Sequence, residues 1–410
     1  MRSASTAPPP LTVSIADPHA AAKLRPPHCQ HVAYKRGAAG QCTSSLLTLR
    51  IRSSPLHPHL NMTVDIPATQ RALVFDTWNG PLEVRQVPVP SPADDEILVK
   101  IEYSGICHSD LHVWLGDLKG MSVCPLVGGH EGAGSVVQVG KNVTGWELGD
   151  KAGVKLMNFN CLNCEFCKKG HEPLCHHIQN YGFDRSGTFQ EYLTIRGVDA
   201  AKINKDTNLA AAAPILCAGV TVYKALKESN VKPGQIVVLT GAGGGLGSLA
   251  IQYANAMGMR VVAMDHGSKQ QHCKSLGAEW FVDAFDTPDI VSHITKLTDG
   301  GPHGVINFAV AKKPMEQAVE YVRKRGTVVF VGLPKDSKIT FDTTPFIFNA
   351  VTIKGSIVGS RLDVDEAMEF VTRGIVKVPL ELVRLEDVPA VYQKMIDGKI
   401  TSRAVVDFSL

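Results

Sequence analysis

From Ala72 onward, short alternating or continuous apolar runs, such as residues 96–103 and 134–139, are broken by Pro/Gly turns at 88–92 and 144–150. That pattern predicts a β-rich unit. After Asn208 the period changes: residues 211–229 predict a helix, 235–240 a strand, 241–247 a glycine loop, 248–257 a second helix and 260–264 a second strand. Strand, tight loop, helix and strand in that order open a βαβ unit and imply a parallel sheet. Further strands are expected at 304–308 and 326–331, and 351–358 is read as the start of a return to the first unit. The expected fold is α/β: a β-rich unit over 63–218, a doubly wound parallel-sheet unit over 219–352, and a C-terminal return over 353–410.

Composition narrows the classes of function. At 410 residues, 44% of them hydrophobic, the chain can bury a sizeable core. Its apolar stretches are interrupted by Gly, Thr, Gln or Asp before reaching the roughly 18 residues a membrane span needs, so no membrane partner is expected. Residues 1–62 hold seven Lys/Arg against the single acid Asp17, together with eight prolines and eleven Ser/Thr. They are expected to be disordered. Their acid-poor, Arg- and Ser-rich composition is similar to a mitochondrial transit peptide, but the prolines spoil the amphipathic helix such peptides use. The other reading starts translation at Met62, and the cytoplasm is then the expected location, with the mitochondrial matrix as the alternative. The remainder carries 35 basic against 38 acidic residues. A mildly acidic body without basic runs is not expected to bind nucleic acid; a small neutral substrate fits better.

The cysteines point to metal. Cys161, Cys164, Cys167 and Cys175 follow a C-x2-C-x2-C-x7-C spacing that lets four thiolates converge on one Zn²⁺ and leaves no position open, so that metal is expected to be structural. An iron–sulfur cluster also takes four thiolates, but usually in a longer or Pro-terminated pattern. Elsewhere, Gly105-Ile-Cys107-His108-Ser109-Asp110-Leu-His112 concentrates reactive side chains just after a strand, Gly128-Gly-His130-Glu131-Gly132 adds a histidine at a glycine turn, and Pro214-Ile-Leu-Cys217-Ala-Gly219 offers a later thiol. Two thiolates and one imidazole form a three-ligand set with a vacant fourth position, the arrangement catalytic zinc uses. Taken singly, Cys217 reads as a buried small hydrophobe and His130 as a turn histidine; only the combination speaks for a site.

The loop Gly241-Ala242-Gly243-Gly244-Gly245-Leu246-Gly247 follows an apolar strand and precedes an apolar helix, as a pyrophosphate-binding turn does. The fingerprint is imperfect, since Ala242 stands in register for its first glycine. Asp265 ends the next strand about 20 residues on, where a carboxylate can hold ribose hydroxyls and repel a 2′-phosphate. That favours NAD over NADP.

Together these segments resemble the zinc-dependent medium-chain alcohol dehydrogenases, with the nearest look that of the fungal tetrameric type, from about Thr63 to the C-terminus. The resemblance implies a GroES-like catalytic domain beside a Rossmann domain, two Zn²⁺ per chain, NAD, a small alcohol or aldehyde as substrate, and a homotetramer. It implies that Cys107, His130 and Cys217 bind catalytic zinc, that Asp110 orients His130, and that Glu131 sits behind the metal. Ser109 would touch the alcohol oxygen and begin a proton relay through the cofactor ribose to His112. His108 and Arg361 would approach the pyrophosphate, and Gly243, Gly244, Gly245, Leu246, Gly247, Asp265 and Lys269 would line the rest of the cofactor site. In the substrate pocket Trp114 keeps an aromatic, whereas Leu118 and Leu156 stand where relatives that favour ethanol carry two more, so a roomier pocket accepting longer or branched alcohols is expected. Two further readings stay open. A polyol dehydrogenase of the same fold usually carries Glu where Cys217 stands, and a metal-free quinone reductase lacks both metal sites. A non-catalytic scaffold binding zinc and NAD would hold one zinc per chain rather than two.

Overall fold

The computed structural model describes residues 65–334, 338–400 and 402–410. The extension over 1–62 lies outside the described residues.

The β-rich part is built on a seven-stranded sheet. Its long strand Glu96–Gly105 pairs antiparallel with Gly132–Val139, Tyr192–Arg196 and the C-terminal Arg403–Asp407. Ile97, Leu98, Val99 and Ile101 are fully buried on it, so both faces of this strand are covered. A three-stranded sheet of Thr69–Phe75, Glu83–Pro88 and Leu126–Val127 packs alongside. The strands follow the alternating runs expected from the sequence and extend them by one or two residues.

The second part is a six-stranded parallel sheet. Its spatial order is Trp280–Asp283, Arg260–Asp265, Ile236–Thr240, Gly304–Asn307, Thr327–Phe330 and Thr352–Gly355. The order reverses at Ile236–Thr240, which places the glycine loop at the switch point where doubly wound sheets bind ligands. Two expectations need correction. Thr352–Gly355 pairs in parallel with Thr327–Phe330, so it completes this sheet; the return to the β-rich part comes later, with helix Arg361–Thr372 and strands Leu380–Val383 and Arg403–Asp407. The single helix expected over 211–229 is broken into Leu209–Ala212, a tight 3₁₀ turn Ala213–Leu216 and Ala218–Glu228. Pro214 has no N–H to give the helix ladder and its ring crowds the preceding turn. The break leaves Cys217 between two helical pieces, outside helical backbone geometry at φ −129 and ψ −68.

Among the described residues no single helix is long and apolar enough to cross a bilayer. The core between the two sheets is filled largely by helix Ala218–Glu228 against helix Gly245–Ala256, with Tyr253 fully buried and its hydroxyl donating to Ala367 O at 2.8 Å. At the start of the second helix, Gly241 takes a positive φ of 67° and makes the tight turn, which explains why Ala242 is tolerated one place later. Gly247 packs the helix onto that turn: a Cβ there would lie 2.4 Å from Gly241 O and 2.4 Å from Ala242 Cα. Both are backbone atoms and cannot swing away. Gly247→Ala is therefore expected to lower stability by about 1–3 kcal/mol through overpacking, measured by denaturant unfolding, and to raise KM for the cofactor more than it lowers kcat.

Candidate active site

Three chain segments meet at Cys107, His130 and Cys217. Helix His108–Leu115 starts directly after strand Glu96–Gly105, and the buried Asp110 caps it, its Oδ2 accepting from Cys107 N–H at 2.8 Å. The other oxygen, Oδ1, accepts from His130 Nδ1 at 2.8 Å. A carboxylate only accepts, so Nδ1 carries the proton and Nε2 is left to face the sulfurs. The glycine turn before His130 is pinned by backbone bonds from Thr188 N to Gly129 O and Phe189 N to Gly128 O, both 2.9 Å. Cys217 comes from the helix break, its Sγ 3.3 Å from His130 Nε2.

The ligand atoms of Cys107, His130, Glu131 and Cys217 all lie within 4.8 Å of one another. Hydrogen bonds from Cys217 and His130 hold the Cys107 thiol well below its usual range against the cost of burial. Burial alone would discharge His130, but Asp110 and Cys107 beside it raise its pKa well above the ordinary value. This buried gathering of two thiols and one imidazole, oriented by a carboxylate behind it, fits a zinc ion with three protein ligands.

The second cluster brings together Cys161, Cys164, Cys167 and Cys175. Its sulfurs stand 4.0 Å apart for Cys161 and Cys167 and 3.5 Å apart for Cys164 and Cys167. Thiolates bound to one zinc at about 2.3 Å stand about 3.8 Å apart. The Cys167 backbone N–H lowers the Cys164 thiol to about 6, while burial and the neighbouring sulfurs push Cys167 up to about 12. Four crowded thiols cannot all ionise unaided, and a divalent cation removes that conflict.

At the glycine loop, Gly243 N–H donates to Asp265 Oδ2 at 2.8 Å, and the Lys269 side chain lies against Gly243. Gly244 is the N-cap of the following helix, with no side chain capping it, so the first N–H groups at Gly245, Leu246 and Gly247 remain for an anion. His108 is exposed at the first turn of its helix, with its ring 5.3 Å from that of His112. Ser109 Oγ is 3.7 Å from Cys107 Sγ, and His112 Nδ1 lies 2.9 Å from Asp117 Oδ2.

Arg361 is a correction. Its guanidinium donates to Glu172 Oε1 at 3.0 Å and to Val198 O at 3.3 Å, and no hydrogen bond joins it to the loop among the described residues. Glu172 sits in the 3₁₀ turn between Cys167 and Cys175, only 4% exposed; a buried carboxylate is a stronger partner than open solvent, and it draws the arginine to the four-cysteine lobe. The arginine that does stand at the glycine loop is Arg403. Its side chain lies against Gly245, its Nη2 donates to both Glu131 oxygens at 2.6 and 2.8 Å, and its Nε is buried without a partner. Burial raises Glu131 to about 7 even with Arg403 pulling it down. An isolated Arg in the apolar strand Arg403-Ala-Val-Val-Asp407 was the available signal. The orphaned Nε and the uncapped helix start fit an anionic cofactor group.

The residues expected to line a substrate pocket also gain a neighbour. Trp114, Leu118 and Leu156 pack in one cluster with Phe75, Val113, Leu126 and Phe183. The Phe183 ring meets that of His130 edge-on at 5.9 Å. Nothing in the local sequence marks Phe183, which arrives from a loop after the four-cysteine lobe.

Known proteins share this architecture. The profile of the zinc-binding dehydrogenases matches residues 245–373, and that of the alcohol dehydrogenase GroES-like domain matches 93–205. Alcohol dehydrogenase 1 of Caenorhabditis elegans is 94% identical over 349 residues, which span 85% of this chain and 100% of that protein. The chain belongs to the zinc-dependent medium-chain alcohol dehydrogenases. Alcohol dehydrogenase 2 of the same organism is 73% identical over 348 residues, covering 85% of this chain and 99% of that protein. The structure of acetophenone reductase from Geotrichum candidum in complex with NAD is 29% identical, covers 84% of this chain and 98% of its own, and superposes with a TM-score of 0.74. The GroES-like and Rossmann architecture of the family, its two zinc sites and NAD as the cofactor it implies therefore apply to this alcohol dehydrogenase.

If Asp110 sets the His130 tautomer, Asp110→Ala should weaken retention of the catalytic zinc about 10–100-fold. Metal analysis after timed exposure to a chelator checks this: the wild-type chain should keep two zincs per chain, and the variant should fall towards one.

Proposed function

We propose that this dehydrogenase interconverts small primary alcohols and their aldehydes with NAD and extends to longer or branched chains. The observation that carries the substrate range is the apolar cluster beside His130. It combines one large indole, Trp114, and the Phe183 ring with two aliphatic residues, Leu118 and Leu156. Aliphatic side chains at those two places leave room that larger aromatic rings would fill, and each methylene buried there is worth roughly 0.8 kcal/mol.

When bound, zinc lowers the pKa of an alcohol's oxygen acid from ~16 towards ~7, and NAD accepts the hydride. The chain's own residues do the rest. Cys107, His130 and Cys217 hold the metal, Asp110 fixes the His130 ring, and the Glu131–Arg403 pair backs them. Ser109 receives the alcohol's hydroxyl, and His112, about 30% exposed on the same helix, passes its proton to water. The helix start at Gly245–Gly247 and the Arg403 guanidinium would hold the cofactor's pyrophosphate, and Asp265 at the strand end would disfavour a 2′-phosphate.

A tetramer of the fungal type is the assembly we favour. Thr352–Gly355 is a free edge of the parallel sheet among the described residues, and the nearby Ile347, Phe348 and Ile357 are 68%, 84% and 53% exposed. An uncovered edge flanked by large apolar side chains asks for a partner strand. Light-scattering mass should read four chains; a monomer would end this assignment.

The decisive assay is a panel of straight alcohols with NAD and with NADP. kcat/KM should hold or rise from ethanol to hexanol, and NAD should be preferred by at least about tenfold, about 1.4 kcal/mol. A steady fall along the series would show that Leu118 and Leu156 do not widen the pocket.

A further inference from the structure

Helix His108–Leu115 ends at Gly116 with a left-handed residue, φ 78° and ψ 20°. That turn folds the chain back over the last helical residues: Gly116 N–H donates to Val113 O at 3.0 Å, and Asp117 N–H donates to His112 O at 3.0 Å. The same fold-back brings the Asp117 carboxylate to the His112 ring, Oδ2 to Nδ1 at 2.9 Å, with the two side chains 20% and 30% exposed. Asp117 is thus joined to His112 twice, once through backbone and once through side chain. The next residue, Leu118, enters the substrate-pocket cluster.

We propose that Asp117 is a positioning residue for proton transfer: it fixes the His112 tautomer and ring angle so that Nε2 presents its lone pair to the proton that leaves the alcohol. This rests on the proton-handling role given to His112 above. The chemistry parallels the pairing of Asp110 with His130 a few residues away. A carboxylate accepts from Nδ1–H, which leaves Nε2 as the unprotonated nitrogen. The alcohol's O–H bond breaks at the Ser109 end of the relay, a proton passed along it forms an N–H bond at Nε2, and the imidazolium returns a proton to water, so no further reactant is needed. Without Asp117 the neutral ring is free to carry its proton on Nε2, where it cannot accept another, and to rotate out of line.

The turn couples this function to the pocket. Because Asp117 and Leu118 are adjacent in one tight turn, the residue that orients the base and a residue that sets substrate room cannot move independently. Gly116 holds the turn, since its positive φ is one that L side chains rarely adopt.

The test uses the complete chain with Asp117→Ala, Asp117→Asn, His112→Gln and the double variant Asp117→Ala/His112→Gln. Nitrogen-15 NMR of histidine-labelled protein without cofactor reads the tautomer directly, and the signal missing in His112→Gln identifies the ring. Wild type should show a protonated Nδ1 and a bare Nε2; Asp117→Ala should lose that preference, and Asp117→Asn, which keeps an acceptor oxygen, should largely restore it. In alcohol oxidation near pH 7, Asp117→Ala should lower kcat on the order of tenfold with KM for NAD nearly unchanged, Asp117→Asn should recover most of it, and the double variant should be no slower than His112→Gln. A wild-type tautomer in Asp117→Ala, or losses that simply add in the double variant, would overturn the proposal. Full turnover in His112→Gln would instead overturn the role of His112 itself, while the NMR result would still judge the pairing.

Discussion

Everything at the reaction centre hangs on one buried carboxylate. Asp110 caps the helix that begins at Cys107 with one oxygen and holds the His130 ring with the other. Local structure and metal-ligand orientation are thereby set by the same group. Because Asp110 is 2% exposed, water does not compete for it, and both bonds gain strength from the low surrounding polarity. The cost of burying the carboxylate is offset only while both partners are in place, so the helix start and the histidine stabilise each other.

A second constraint ties this centre to the cofactor half of the molecule. Arg403 sits on a strand of the β-rich sheet, pairs with Glu131 directly after His130, and lies against Gly245 at the start of the nucleotide helix. One guanidinium therefore touches the carboxylate that follows His130 and the glycine loop at the start of the nucleotide helix. Removing either member of such a buried pair leaves an uncompensated charge, typically at a cost of about 3–5 kcal/mol. The pairing of Arg361 with Glu172 does comparable work elsewhere, fastening helix Arg361–Thr372 to the four-cysteine lobe. The two arginines divide labour: one serves the cofactor loop, the other the lobe.

Cys217 shows how a packing irregularity brings a thiol into the candidate metal site. A continuous helix through residues 211–229 would bury that thiol in ordinary helical geometry. Pro214 forces a 3₁₀ turn instead, and Cys217 falls at the junction, close to His130. Helix Ala218–Glu228 then resumes and fills the core against the glycine-loop helix, so the break costs little packing.

The two metal clusters, the glycine loop and the carboxylate at the end of its second strand were legible in the sequence. These features are local: thiolate spacing on one short lobe, turn glycines and strand–helix order are dictated by neighbours in the chain, whose reach is short and whose geometry is restricted. The ligands Cys107, His130 and Cys217 were legible only as a combination, and the fold supplies the reason, bringing a helix cap, a glycine turn and a helix break to one point. The choice of Arg403 over Arg361 beside the glycine loop, the place of Phe183 beside His130 and the sixth parallel strand at Thr352–Gly355 were decided by tertiary structure. Each depends on which groups stand together after the sheets have packed, and local sequence does not encode distances between residues far apart in the chain.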